Sequence, residues 1–228
     1  KTIFNNENLG FARGNNIGAK EATSGVVVFL NNDTEVKKGW LEPLLKSLLN
    51  KTTGIAGSKL LYPNGKIQHA GIVISDDLVP RHIYRTLDAD WPPANKAREY
   101  QAVTGACLAI KKELFDKVGG FDEGYTNGLE DIDLCFKVKK EDYKVVYCPS
   151  SVVVHYESIS KDRFKNYYAN KSRYFEKWPD IKPDEDDFYR KDGFGLVFIV
   201  KQHIKNRYLT GSYKDKIRVV FSNLRSKL

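Results

Sequence analysis

The stretch V-V-V-F-L-N-N-D-T, running from Val26 to Thr34, decides the fold class. Val26–Leu30 is continuously β-branched or apolar, the composition of a strand covered on both faces. Asn31, Asn32, Asp33 and Thr34 then favour a turn. Downstream, Trp40, Leu41, Leu44, Leu45 and Leu48 recur at helical spacing and predict a helix over Gly39–Leu49. A second strand, Ile55–Leu61, follows, and upstream Gly14–Ala22 reads as a helix after a Gly/Asn-rich turn. Strand and helix alternate, so the expectation is an α/β layer with a mostly parallel sheet and helices on both faces.

Farther along, Tyr62-Pro63-Asn64-Gly65 is a turn and Lys66–Ile74 is read as one strand. Asp76–Glu99 is polar and Pro-containing, long enough to suggest an irregular functional loop. Val103–Ile110 predicts a strand, and Lys111–Val118 a short helix ended by Gly119-Gly120. Glu130–Asp142 predicts an amphipathic helix, Val145–Cys148 and Val152–His155 two short strands, and Asp162–Trp178 an aromatic-rich helix. Pro179–Asp187 is Pro- and acid-rich, so residues 179–190 are expected to be an acidic linker between a body of 1–178 and a tail of 191–228. Asp184–Asp187 is read as solvated linker rather than a metal site.

The chain of 228 residues carries 37 Lys+Arg against 29 Asp+Glu, with 41% hydrophobic and 12% aromatic residues, which excludes wholesale disorder. The net charge of +8 is localised: residues 191–228 hold nine Lys/Arg and two acids, leaving the rest near neutral. A basic stripe across a folded face is absent, so nucleic acid is not an expected partner. No apolar run approaches the roughly 20 residues of a membrane-spanning helix. Cys107, Cys135 and Cys148 are odd in number and lack a C-x-x-C pair, which excludes a disulfide framework or zinc ribbon and suits a reducing compartment. Cys135, within the predicted Glu130 helix, is assigned to the core rather than to nucleophilic chemistry. A chain without Met is expected to be a piece of a longer or processed protein.

Three clusters carry candidate chemistry. Asn31-Asn32-Asp33 follows a buried strand, and ligands of open α/β sheets sit outside the carboxyl ends of strands. Asp33 there either holds a hard divalent cation or simply caps and turns the chain. Glu130-Asp131-x-Asp133 is either a dipole-matched helix start or a general base with its neighbour. His155 closes an apolar run and is either structural or a metal ligand. His69 and His82 have no partners at ligand spacing and read as strand and loop residues.

Taken in order, E-N-L-G-F-A-R-G-N-N-I-G-A (Glu7–Ala19), V-F-L-N-N-D-T (Val28–Thr34), V-T-G-A-C-L-A-I (Val103–Ile110), V-G-G-F-D-E-G-Y (Val118–Tyr125), L-E-D-I-D-L-C (Leu129–Cys135) and Y-C-P-S-S-V-V-V-H (Tyr147–His155) closely resemble the family 2 glycosyltransferases. The likeness is greatest to the bacterial rhamnosyltransferase-like branch and covers residues 1–178. It implies an A-type glycosyltransferase fold, Rossmann-like, here expected to lack the opening strand–helix–strand unit that holds the nucleotide base. It also implies a nucleotide-sugar donor, UDP- or dTDP-linked, and inversion at the transferred sugar.

By the same resemblance, Asp33 and His155 are metal ligands for Mn²⁺ or Mg²⁺, and Asn31 stands where many relatives carry the first Asp of D-x-D. Asp131 matches the catalytic base and Glu130 its acceptor-orienting neighbour. Asn8, Gly10 and Asn15 fall in the segment lining the donor diphosphate, with Asn15 where many relatives have Arg; Asn31, Asn32 and Asp33 complete the donor set. Lys161 and Arg163 are candidates on charge and position, or ordinary solvated residues. The implied acceptor is a hydroxyl of a glycan or lipid-linked glycan in cell-surface polysaccharide synthesis, in the cytoplasm. The alternative is a non-catalytic fragment or partner domain keeping the acceptor half of the fold.

In the tail, Phe194–Val200 is apolar, and Tyr213, Ile217, Val220, Phe221, Leu224 and Leu228 fall at helical spacing with basic residues between. That pattern predicts a basic amphipathic helix, placed either on an anionic membrane surface at the inner face of the cell membrane or against protein.

Overall fold

The computed structural model describes residues 1–156 and 166–210. They divide into two compact units, one of Lys1–Val73 with Pro80–Ile181, the other of Ile74–Val79 with the chain from Lys182 onward. The elements of the first unit are α1 (Gly10–Lys20), β1 (Val26–Leu30), β2 (Thr34–Val36), α2 (Leu41–Leu48), β3 (Thr53–Leu61), β4 (Ile67–His69), β5 (Ile72–Ile74, ending in the second unit), β6 (Pro80–His82), a 3₁₀ turn at Pro92–Asn95, β7 (Arg98–Glu99), β8 (Cys107–Lys111), α3 (Lys112–Lys117), α4 (Glu130–Lys140), β9 (Lys144–His155) and α5 (Tyr167–Lys177). α6 (Glu185–Lys191) and α7 (Leu196–Thr210) belong to the second.

The main sheet runs β1-β8-β3-β9-β2, with β4 beside β3 and β7 beside β9. β1 is sandwiched as its sequence predicts. Val26 and Val28 pack toward Leu44 and Leu48 of α2. Phe29, on the alternate face, meets Phe115 of α3 at 5.1 Å and Phe121 at 4.8 Å. α2 tolerates Pro43 because the first turn of a helix has N–H groups without intrahelical partners. The α/β class holds, but the expectation of a mostly parallel sheet is corrected. β3 and β9 are parallel, whereas β8 runs antiparallel to both β1 and β3, and β2, β4 and β7 pair antiparallel as well. A continuously apolar run reports cover on both faces and says nothing of the direction of its neighbours.

The predicted strand over Lys66–Ile74 is two strands, because Gly71 at φ 116° breaks it where the Tyr100 ring leaves no room for a side chain. Conversely, Val145–Cys148 and Val152–His155 are one strand, β9, whose register against β3 shifts opposite Ser58 and Lys59. A bulge keeps the strand continuous while Pro149 and two serines interrupt its apolar pattern. The segment read as an irregular loop carries β6, the 3₁₀ turn and β7.

In the second unit, the stretch read as an acidic linker contains α6, with Asp184, Glu185, Asp186 and Asp187 at its start, where the helix dipole favours acids. Asp184 accepts the Ile74 N–H at 2.7 Å, Glu185 is buried, and Tyr189, Phe194 and Phe198 form an aromatic cluster. α7 begins the predicted helical tail, while Tyr213, Ile217, Val220, Phe221, Leu224 and Leu228 lie outside the described residues. No helix among the described residues is long and apolar enough to cross a membrane.

Candidate functional site

The carboxyl end of β1 delivers Asn31–Asp33 to the end of β9. β2 pairs antiparallel with β9 in a register that sets Thr34 opposite His155, and the Tyr156 N–H donates to the Asp33 carbonyl at 2.9 Å. The side chains therefore meet: His155 Nε2 lies 3.1 Å from Asp33 Oδ1 and 3.4 Å from Asn31 Nδ2. On the other side of the ring, His155 Nδ1 lies 2.7 Å from Oε1 of Gln68, whose Nε2 donates to the His155 carbonyl at 3.4 Å. Gln68 Oε1, an acceptor only, takes a hydrogen bond from the Nδ1 N–H, and the Asn31 amide lies beside Nε2. Nε2 lies within ion-pair distance of the Asp33 carboxylate, so it either donates an N–H to that oxygen or, deprotonated, shares a cation with it.

That donor set fits a divalent ion. Two ligands at right angles on an octahedral ion with bonds of about 2.1 Å sit about 3 Å apart, the spacing seen here. A ligating imidazole also characteristically donates its second nitrogen to a fixed acceptor. Among the described residues no group of three or more His, Cys, Asp or Glu gathers around a metal position. Asp33 and His155 would supply two ligands, as suits an ion whose remaining positions go to phosphate and water.

The second cluster opens α4. Asp131 Oδ2 accepts the Gly105 N–H at 2.8 Å, and its Oδ1 accepts the Ile132 N–H at 2.9 Å. Glu130 Oε2 accepts the Gly128 N–H at 2.5 Å. Burial, with the neighbouring Asp131 charge, pushes the Glu130 carboxyl up to about 7. Burial also raises Asp131, against hydrogen bonds from Gly105, Ile132 and Thr104 that favour its charged form. The two clusters are joined by backbone. The Asn31 N–H donates to the Ala106 carbonyl at 2.9 Å, one residue from the Gly105 N–H that holds Asp131. At Gly105 a Cβ would come 3.0 Å from Phe11 and 3.1 Å from the Asp131 Cβ, so glycine is what lets α1, β8 and α4 converge.

The remaining predicted residues are placed as follows. Asn8 accepts the Gly10 N–H at 2.9 Å, where Gly10 enters α1 at φ 73°. Asn15 donates to the Phe11 carbonyl of its own helix, and Asn32 is exposed. Lys161 and Arg163 lie outside the described residues. His69 and His82, read as having no partners at ligand spacing, are partners: their Nδ1 atoms are 2.8 Å apart because β6 pairs with β5 and the Ile83 N–H returns to the Gly71 carbonyl at 3.1 Å. All three cysteines are free and buried, Cys135 in α4 as expected.

Residues 1–119 of the chain match the family described as Glycosyl transferase family 2. The chain belongs to that family. Residues 85–162 also match the N-terminal domain of galactosyltransferase. The O-antigen biosynthesis protein RfbC of Myxococcus xanthus is 32% identical over 153 residues, 64% of this chain and 12% of that protein. The N-acetylglucosaminyl-diphospho-decaprenol L-rhamnosyltransferase of Mycobacterium tuberculosis is 26% identical over 150 residues, 60% of this chain and 48% of that protein. The chain thus spans less than half the length of either curated relative. A crystal structure of GalNAc-T7 with UDP, GalNAc and Mn²⁺ superposes with a TM-score of 0.60 at 19% identity, over 79% of this chain and 38% of that one. The likeness establishes the A-type glycosyltransferase fold.

Sequence reasoning missed Gln68, Asn16 and Asn170. Asn16 clamps the backbone of Phe121 in both directions at 2.9 Å. Each contacts a distant backbone or ring through a single amide, which leaves no periodic signal in the sequence.

Proposed function

We propose that this glycosyltransferase domain moves a sugar from a nucleotide-diphosphate sugar, UDP- or dTDP-linked, to a hydroxyl of a glycan or lipid-linked glycan, with inversion, in cell-surface polysaccharide synthesis. The observation that supports it is the convergence of His155 Nε2 and the Asp33 carboxylate at 3.1 Å, one backbone link from the Asp131 carboxylate. Asp33 and His155 would hold the cation, with Asn31 as a neutral neighbour. A divalent cation held by Asp33 and His155 would supply neutralisation of the charge developing on the leaving diphosphate. Asp131, held by Gly105, accepts the proton of the acceptor hydroxyl. The acceptor oxygen bonds to the anomeric carbon from the face opposite the diphosphate, the bond to the phosphate oxygen breaks with its electron pair, and the product is inverted. The raised Asp131 carboxyl suits a base that must take up a proton. The relatives named for O-antigen and rhamnosyl chemistry support the polysaccharide setting.

Thermal melting of the full chain with UDP or dTDP, with and without Mn²⁺, tests the donor half. Cation-dependent stabilisation is expected from binding to the native state, and no shift at saturating ligand favours the non-catalytic alternative. Asp131→Asn tests the base: transfer should fall by about 10²–10⁴-fold with nucleotide binding kept.

A further inference from the structure

We infer that Asn170, on α5, is a positioning residue that fixes the backbone of residues 126–128 and thereby aims the Glu130–Asp131 pair. The inference rests on the assignment of Asp131 as the base, and its test separates the two. Asn170 is 5% exposed, and its amide is spent on that one segment. Oδ1 accepts the Thr126 N–H at 3.0 Å, while Nδ2 donates to the Thr126 carbonyl at 2.9 Å and the Gly128 carbonyl at 3.0 Å.

The clamped segment cannot hold itself. Asn127, Gly128 and Leu129 lie at φ 53°, 143° and 73°, three successive residues in conformations that non-glycine residues avoid. Such backbone persists only where its surroundings over-determine it. Gly128 is gripped at both ends, its carbonyl by Asn170 and its N–H by Glu130 Oε2. From Leu129, whose carbonyl accepts the Asp133 N–H at 2.9 Å, α4 begins, and Asp131 reaches Gly105. A rotation of residues 126–129 therefore turns both carboxylates.

The docking of α5 has anchors besides Asn170. Arg173 and Lys177 bond Asp122, Tyr174 is buried, and Trp178 donates to Asp133 at 3.0 Å. Removing the amide leaves these in place. Leucine, close to asparagine in shape and uncharged, makes none of these hydrogen bonds, so it separates them from the packing.

The test uses the full chain as wild type, Asn170→Ala and Asn170→Leu, with carboxyl titrations followed by carbon NMR on Asp/Glu-labelled protein. Both variants should still unfold in one cooperative step, with melting lowered by about 3–10 °C, and with the Glu130 and Asp131 titrations moved by about half a unit or more and other carboxyls unmoved. Release of nucleoside diphosphate from a panel of UDP- and dTDP-hexoses should show kcat down about tenfold or more, with KM and the UDP/Mn²⁺ melting shift unchanged. Unmoved Glu130 and Asp131 titrations in either folded variant overturn the inference. So does a rise in KM equal to the fall in kcat. If Asp131→Asn keeps near-normal release, the base assignment fails while the NMR result still decides whether Asn170 aims the pair.

Discussion

His155 Nδ1 lies 2.7 Å from Oε1 of Gln68, and this bond decides which ring nitrogen faces Asp33. With Nδ1 donating to Gln68, Nε2 is the nitrogen that faces the carboxylate. Partners of this kind typically tune metal affinity by about 10–100-fold. Gln68→Leu is therefore expected to weaken the Mn²⁺-dependent binding of UDP by about that factor, with cation-free binding unchanged. Calorimetric titration of UDP with and without Mn²⁺ reads both, and equal affinities in variant and wild type would sink the idea.

Glu130 makes the fold pH-dependent in a defined direction. Its carboxyl ordinarily titrates at 4.5 and is pushed up to about 7 by burial and by Asp131. Between those values the unfolded chain releases the proton while the folded one keeps it, so stability falls as pH rises through the window. Glu130→Gln, which can still accept the Gly128 N–H, removes that loss. We expect it to gain about 3 kcal/mol at pH 8 and nothing at pH 4, read from urea unfolding at both. A gain independent of pH would contradict the account.

The site was legible where chemistry and pattern coincide. Val26–Leu30 running into Asn31–Asp33 marks a buried strand ending in a polar turn, and the acids opening α4 match the dipole of a helix start. What was not legible acts across the chain. β8 is inserted between β1 and β3 by pairing, not by its own sequence. Gln68 meets a histidine 87 residues away and Asn170 a backbone 44 residues away, each through one amide with no periodic companion. His69 and His82 look isolated until the pairing of β6 with β5 brings one beside the other.

Gly71 is itself a test of that fold. At φ 116° an L side chain is strained, and a Cβ would stand 2.4 Å from the Tyr100 ring. Strain and overpacking each cost about 1–3 kcal/mol. Gly71→Ala should thus lose about 2–4 kcal/mol in denaturant unfolding, whereas Gly65→Ala, at positive φ but in open space, should lose less. Equal losses at both positions would show that the Tyr100 contact does not matter.

Acid should loosen α5 through Asp122. Burial alone would raise this carboxyl, but Lys177, the Gly124 N–H and Arg173 outweigh it and hold it at about 2, against an ordinary 3.8. The sign is opposite to that of Glu130: the stabilisation is present above 3.8 and is lost as pH falls through about 2. Because Arg173 and Lys177 are partly exposed, solvent screening discounts the effect to about 1 kcal/mol. Hydrogen exchange of the full chain between about pH 4 and about pH 2, corrected for intrinsic rates, should show α5 and then residues 126–128 losing protection ahead of β3. In Asp122→Asn the protection of α5 should already be reduced at pH 4 and change little below it. Loss of protection in β3 at the same pH as in α5 would mean that acid acts on the whole unit rather than through this ion pair.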